Sequence, residues 1–427
     1  MPREPHVDSY YAATANDHPE YPELTGEVSA DVCVIGAGYT GLSAAICLAE
    51  RGYSVIVLEA HSVGWGASGR NGGQVCTGFS AGMEAVQHAV GKNDARKIFA
   101  ITEEGKALVR ERVEKYKIDC DLHWGYFHAA LKQRQLDDLA KSHEVMARDF
   151  GSDDGTLVRG REAVASYVNS KAYVGGLYER GAGHLHPLNY CLGLARAAAA
   201  AGAKIYEGSA VERLERGATA RAVCAKGSVT AKTVVLAGNA YLGGLVPEIQ
   251  GKIMPVGTYI AATEILGENR ARSLVPGNIG VADCNFVLNY YRRSDDHRLL
   301  FGGRVSYSTL MPPNLPRALR HKMLEVFPDM ADTHFDYTWG GFVAITMERT
   351  PHFGRLGDNI YFAHGYSGTG LAMAGVAGKV MAEAIAGQAE RFDVLTRLPH
   401  TTFPGGRLFR TPTLALAMLW FRMRDIL

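Results

Sequence analysis

The sequence is short of cysteine. Its seven residues (Cys33, Cys47, Cys76, Cys120, Cys191, Cys224 and Cys284) are odd in number and never show C-x-x-C spacing. That pattern argues against a disulfide framework and against a cysteine-built zinc site. A charge excess of either sign is also missing, since 45 Lys and Arg face 44 Asp and Glu. A nucleic-acid binder normally carries a clear basic surplus, so no nucleic-acid partner is expected. The opening stretch, MPREPHVDSYYAATANDHPEYPELTG, is polar and proline-rich and lacks the apolar region of a signal peptide. An apolar tail from Thr413 to Phe421 (TLALAMLWF) is about half the length that a membrane-spanning helix needs. A terminal helix packed on the body is expected there, and the whole reads as a cytoplasmic protein with no membrane partner. Internal repeats and low-complexity tracts are absent as well.

Glycine, by contrast, is abundant: 49 of 427 residues, against roughly 7% in an average protein. No Gly-X-Y period organises these residues, so collagen is excluded, and they call for turns where backbone approaches a ligand. Val32 to Ile35 is a short apolar run suited to a buried parallel strand. Gly36, Gly38 and Gly41 then form G-x-G-x-x-G, with Tyr39 and Thr40 between them. A breaker-free helical stretch runs from Leu42 to Arg51, a second buried strand spans Ser54 to Leu58, and Glu59 closes the unit before Ala60. Strand, glycines, helix, strand and acid in that order make a dinucleotide-binding βαβ fingerprint.

Each residue type has a physical role there. Gly36 permits the tight turn, Gly38 lets backbone approach a pyrophosphate, and Gly41 allows close helix–strand packing. The helix start offers unpaired N–H groups and a partial positive charge. Glu59 suits a ribose hydroxyl and would repel a 2′-phosphate, which argues against NADP. The motif leaves FAD and NAD open. Its place near the start of the chain, with no second fingerprint, favours one nucleotide only.

Two further glycine-rich stretches follow. Gly64 to Gln74 carries Trp65, Gly66, Ala67, Ser68, Arg70, Asn71, Gly72 and Gly73, a mixture of glycine and polar side chains that suits a flat ligand better than a linker. Near the other end, the strand-like Asn359 to Phe362 leads to Gly365, Gly368, Thr369, Gly370 and Leu371, which open a small-residue helix reaching Ala386. Between them, Thr233 to Ala237 reads as a buried strand ending at Gly238. Val211, after the helix Leu192 to Ala201 and the strand Lys204 to Tyr206, is a candidate adenine contact. His184 and His186 lie two apart and would share a face of a strand, but with no third ligand in view no metal site is expected.

Together these pieces resemble the D-amino-acid-oxidase superfamily of FAD enzymes, in the branch of glycine and sarcosine oxidases and, within it, the bacterial gamma-glutamylputrescine oxidases. The resemblance covers nearly the whole chain: SYYAATAN at 9–16, DVCVIGAGYTGLSAA, GASGRNGGQ at 66–74, GAGHLHPLN at 181–189, VVLAGNAYLG at 234–243, GYSGTG at 365–370 and FPGGR at 403–407. It implies an α/β fold (α+β overall), with a Rossmann-like FAD-binding domain and an inserted antiparallel-sheet substrate domain. The FAD domain would comprise 1–90, 155–245 and 336–427. The substrate domain would take 91–154, including a helix from Lys97 to Lys115, and 246–335.

The resemblance also implies oxidation of the primary amine of a gamma-glutamylated polyamine, giving an aldehyde, ammonia and hydrogen peroxide. An FAD amino-acid or secondary-amine oxidase, or a dehydrogenase with another electron acceptor than molecular oxygen, stays open, as does a non-catalytic flavin-binding protein. Some relatives tether FAD through a cysteine in the last third of the chain; this sequence has none after Cys284, so FAD is expected to bind non-covalently. Where those enzymes use a lysine toward oxygen, the strand Arg298 to Val305 offers Arg304. Flavin oxidation of an amine needs no dedicated base when the site is dry. Trp65, Tyr259, Tyr290 (within the expected strand Phe286 to Arg292) and Arg304 are therefore the candidates for the substrate cavity, and the catalytic residue itself stays unassigned.

Overall fold

A computed structural model describes residues 3–306, 312 and 314–404, except for the side chains of 304–306. The apolar tail from Thr413 to Phe421 lies outside the described residues. In chain order the elements that position the site begin with β1 (Gly26–Ile35), α1 (Tyr39–Ala49), β2 (Val55–Leu58), α2 (Lys92–Lys115), β3 (His123–Ala130) and β4 (Gly175–His184). There follow α3 (Pro187–Ala200), β5 (Gly227–Leu236), β6 (Met254–Thr263), β7 (Gly280–Asp283), β8 (Tyr290–Arg293), β9 (Leu299–Ser306), β10 (Phe335–Ile345), β11 (Ile360–His364) and α4 (Gly370–Ile385).

Two sheets form the body. In the first, β1 lies between β2 and β5, both parallel to it, with Ile35 opposite Leu58 and Leu236. β11 extends the parallel set beside β5, with Leu236 opposite Phe362. Residues 32–35, 55–58 and 360–364 are continuously buried, as parallel strands covered on both faces must be. Helices α1 and α4 pack against each other so closely that a Cβ at Gly378 would sit 2.3 Å from the Thr40 carbonyl oxygen. The four strands end at one edge, where the chain turns through Gly36, Glu59, Gly238 and Gly365. That edge is where open α/β sheets bind ligands.

The second sheet has nine strands and is antiparallel except where β7 runs parallel to β3. One face, carrying Ile260, Ala262, Leu300 and Trp339, joins the apolar core that holds α1 and α4. The other face buries Phe127, Val281, Tyr291 and Phe301 together with Met323 and Val326 of the helix Leu315–Val326. This sheet also takes strands from 155–184 and 335–345, stretches that the resemblance groups with the cofactor side. The expected strand over 286–292 begins only at Tyr290. Asp283 draws in the backbone N–H groups of Asn285 and Asn289, both at 3.1 Å, which turns the intervening chain. Among the described residues no helix is long and apolar enough to cross a membrane.

Candidate active site

A cavity of about 810 Å³ opens at the strand ends of the first sheet. Its walls include Gly36, Gly38, Tyr39 and Thr40 from the fingerprint, then Glu59 and Ala60 after β2. Gly36 has φ +109°, and a Cβ there would lie 3.0 Å from the carbonyl of Ala237. A Cβ at Gly38 would meet Ser68 Oγ at 2.8 Å. Gly41 stands behind the wall: its Cβ would fall 1.9 Å from the Gly36 carbonyl oxygen, so it serves helix–strand packing alone.

Glu59 is held by backbone. Its Oε2 accepts from the Ala37 N–H at 2.9 Å and its Oε1 from the His61 N–H at 3.0 Å. Burial pushes this carboxyl above its usual range, and the two N–H donors partly oppose that shift. Both oxygens keep a lone pair for a further donor. Helices α1 and α4 both start at the cavity, through Tyr39 and Thr40 and through Gly370 and Leu371. Neither helix is capped by the residue before it, Gly38 or Thr369, although Ser68 Oγ accepts the Tyr39 N–H at 3.1 Å. Two helix starts at one cavity concentrate N–H donors and partial positive charge, which suits phosphate and an electron-rich ring.

The loop after β2 supplies Trp65, Gly66, Ala67, Ser68, Asn71, Gly72 and Gln74 to the lining. Asn71 fixes its shape, donating from Nδ2 to the Ala67 carbonyl at 2.9 Å and accepting the Gly73 N–H at 2.8 Å. Tyr39 donates its hydroxyl to the Ser68 carbonyl at 2.7 Å. Val211 and Gly238 also reach the cavity, as does Gly368.

Several expected contacts instead support the wall from behind. Arg70 donates to the Trp65 carbonyl at 2.7 Å and lies 4.2 Å above the Trp65 ring. At Gly73, φ is +78° and a Cβ would sit 2.0 Å from the Leu185 carbonyl oxygen. Gly365 gives its N–H to Asn239 Oδ1, and Thr369 bonds back to the Tyr366 carbonyl.

The substrate candidates divide sharply. Trp65 lines the cavity and stacks on His61 with ring centres 4.0 Å apart. Tyr259 is turned away. The alternation on β6 is real, but it puts Tyr259 with Ala261 against Leu315 and Leu319, on the far face of the second sheet. Tyr290 is on the near side without lining the cavity: its ring backs Gly72, where a Cβ would meet it at 2.8 Å. Arg304 pairs by backbone with Tyr259, and its side chain lies outside the described residues.

His184 and His186 do not share a strand face. His184 ends β4 and shares a hydrogen bond with the Asn278 carbonyl, whereas His186 caps α3 by accepting from the Asn189 N–H at 3.1 Å. With Nδ1 so engaged, its Nε2 carries the proton toward Thr14 Oγ1, 3.1 Å away. Among the described residues no three metal-ligating side chains converge.

Sequence reasoning missed Tyr241, Tyr366 and Val343–Ala344 in the lining. Tyr366 was within reach, inside GYSGTG, and its hydroxyl meets Thr40 Oγ1 at 2.7 Å. Arg292 was missed as an anchor. It is 2% exposed and donates from Nε to the Gly72 carbonyl at 3.2 Å. No lysine, arginine or cysteine lines the cavity among the described residues.

The family described as DAO, FAD dependent oxidoreductase, matches residues 31–384, and the chain belongs to it. It is an FAD-dependent oxidoreductase, and the glycine cradle and the two helix starts fit that cofactor. Over its length the chain is similar to the gamma-glutamylputrescine oxidoreductase of Escherichia coli, at 43% identity covering 98% of each protein. It is also similar to a probable oxidoreductase OrdL of Haemophilus influenzae, at 41% identity over 98% of this chain and 97% of the other. In fold it matches the glycine oxidase structure from Geobacillus kaustophilus with a TM-score of 0.73 at 21% identity, covering 87% of this chain and 99% of that one.

Proposed function

We propose that this protein oxidises the terminal primary amine of a gamma-glutamylated polyamine, with release of an aldehyde, ammonia and hydrogen peroxide. The observation that carries this reading is the 43% identity, end to end, with a protein named for gamma-glutamylputrescine. In balance, the amine, molecular oxygen and water yield aldehyde, ammonia and peroxide. FAD, when bound, supplies the acceptor for the hydride on the carbon beside nitrogen.

The chain's own residues do the rest. Glu59 would accept from ribose hydroxyls, the starts of α1 and α4 would face the negative groups, and the loop from Gly66 to Gln74 would flank the ring system. No cysteine reaches the lining, which supports non-covalent attachment. The carboxylates in the lining are Glu4, Glu59 and Glu212; Glu4 bonds by backbone to His61, and Glu212 follows Val211. All three therefore belong to the nucleotide end. With no acid elsewhere in the lining among the described residues, a wall including Tyr241, Tyr366 and Leu371 would deliver the amine unprotonated by desolvation.

The same geometry supports a cofactor domain built on the first sheet and a substrate domain on the second, with the strands of 155–184 and 335–345 counted to the latter. We place the protein in the cytoplasm, with no nucleic-acid or membrane partner.

A second reading has its own support. Among the described residues no lysine or arginine lines the cavity, and electron transfer to an acceptor other than oxygen is the alternative to test. An anaerobic panel of amines decides the substrate: gamma-glutamylputrescine is expected to bleach the flavin, while sarcosine, D-alanine and free putrescine leave it yellow. Peroxide formed under air then separates oxidase from dehydrogenase. Bleaching by sarcosine or D-alanine alone would overturn the polyamine assignment.

A further inference from the structure

Residues 3–5 sit at the end of the cavity that holds Glu59, Ala60 and Val211, and Glu4 itself lines it. Four bonds fasten them. Arg3 pairs with Glu207 at 2.8 Å, and its Nε donates to Ser62 Oγ at 3.2 Å. The Glu4 N–H donates to His61 Nδ1 at 3.0 Å, and the Pro5 carbonyl accepts from Trp65 Nε1 at 2.9 Å. Every anchor lies in the loop from His61 to Trp65 or on Glu207, which holds that loop by accepting the Val63 N–H at 2.7 Å.

Glu207 makes the arrangement cooperative. Its side chain is 2% exposed, and among the described residues Arg3 is its one cationic partner. The same carboxylate accepts the Tyr21 N–H at 3.3 Å, so Arg3, the loop and the chain at Tyr21 converge on one buried charge whose cationic partner is Arg3. The loop in turn joins Glu59 to Gly66, two parts of the cavity wall. The chain ahead of the βαβ unit also meets Glu207 and Ser209 through Tyr21, Pro22 and Leu24, but among its described residues it is Glu4 that lines the cavity.

We propose that Arg3–Pro5 is a strap that closes the Glu59 end of the cavity over bound FAD and slows its loss. The proposal rests on the FAD assignment and is independent of which amine is oxidised. Linkage is reciprocal: a strap whose closure raises FAD affinity about tenfold must have its closed-to-open ratio raised about tenfold when FAD is bound.

The first test uses the unaltered protein. Trypsin cleavage after Arg3, followed by mass of the shortened chain, is expected to slow about tenfold when FAD saturates the apoprotein. FMN, which lacks the adenylate half, is expected to give little protection. Equal cleavage with and without FAD overturns the strap.

The second test is Arg3→Met. FAD is expected to dissociate about tenfold faster, followed by the return of flavin fluorescence on dilution. Arg213→Met, which removes an exposed pair with Glu215, is expected to leave that rate unchanged. An Arg3→Met rate within twofold of the parent contradicts the proposal; if this variant does not fold, the cleavage experiment decides alone. A parent protein that binds no FAD at all would overturn the cofactor assignment, and the strap with it.

Discussion

The cavity has two walls, and they are built differently. One wall is the strand-end edge of the first sheet, where Gly36, Gly38, Thr40 and Glu59 come from a single stretch of about 25 residues. Its geometry follows from local rules: a tight turn, a helix start and an acid at the end of a strand. The facing side is assembled from distant pieces. Tyr290, Arg292 and Trp339 reach it from β8 and β10, and Gly72 lies between them and the cavity. Their placement depends on strand register across the second sheet, where a shift of one residue sends a side chain to the other face. Tyr259 shows the consequence.

If this contrast is correct, changes in the local wall should remove the cofactor, and changes in the assembled wall should alter substrate handling or stability. Gly41→Val should have the largest effect. The added side chain has no space against the Gly36 carbonyl, so soluble, flavin-loaded protein is expected to be absent. The flavin-to-protein ratio after purification checks this.

Glu59→Ala comes next. It strips the acceptor from the Ala37 and His61 N–H groups, and FAD binding should weaken by about 2 kcal/mol, roughly 30-fold, in a fluorescence titration.

A separate effect, on stability rather than on cofactor binding, is expected from pH. Burial, reinforced by Arg292, pulls His186 down to about 3. Below the ordinary value near 6.5 the unfolded chain takes a proton that the folded chain refuses. Stability should therefore fall as pH drops from about 6.5 toward 3, by about 1.4 kcal/mol per pH unit from this group. His186→Gln should flatten that slope in denaturant titrations. An unchanged slope would show that His186 titrates freely.

The finest distinction lies between the two tyrosines. Tyr290→Leu should raise the amine KM about three- to tenfold by loosening the support of Gly72. Tyr259→Leu should lower Tm and leave KM within about twofold, because its contacts lie on the far face. The reverse pattern would mean that the register places the wrong face at the cavity.

The same contrast explains what could be read from the sequence. The fingerprint, its glycines and Glu59 were legible because each depends on neighbours in the chain. The helix from Gly370 and the strand before it were legible for the same reason. The alternation around Tyr259 identified a strand correctly, but alternation has two faces and no sign to tell them apart. The strand expected over 286–292 begins only at Tyr290 because a side chain, Asp283, recruits backbone N–H groups and turns the chain. Arg292 carried no local signal at all: an arginine becomes a buried anchor only when a glycine carbonyl 220 residues away arrives beside it.

The central claim, a gamma-glutamylated amine as substrate, is tested most directly by one ratio. Steady-state kcat/KM for gamma-glutamylputrescine against free putrescine should exceed about 100 if the protein recognises the glutamyl end. A ratio near one, or a preference for the free diamine, would contradict the account.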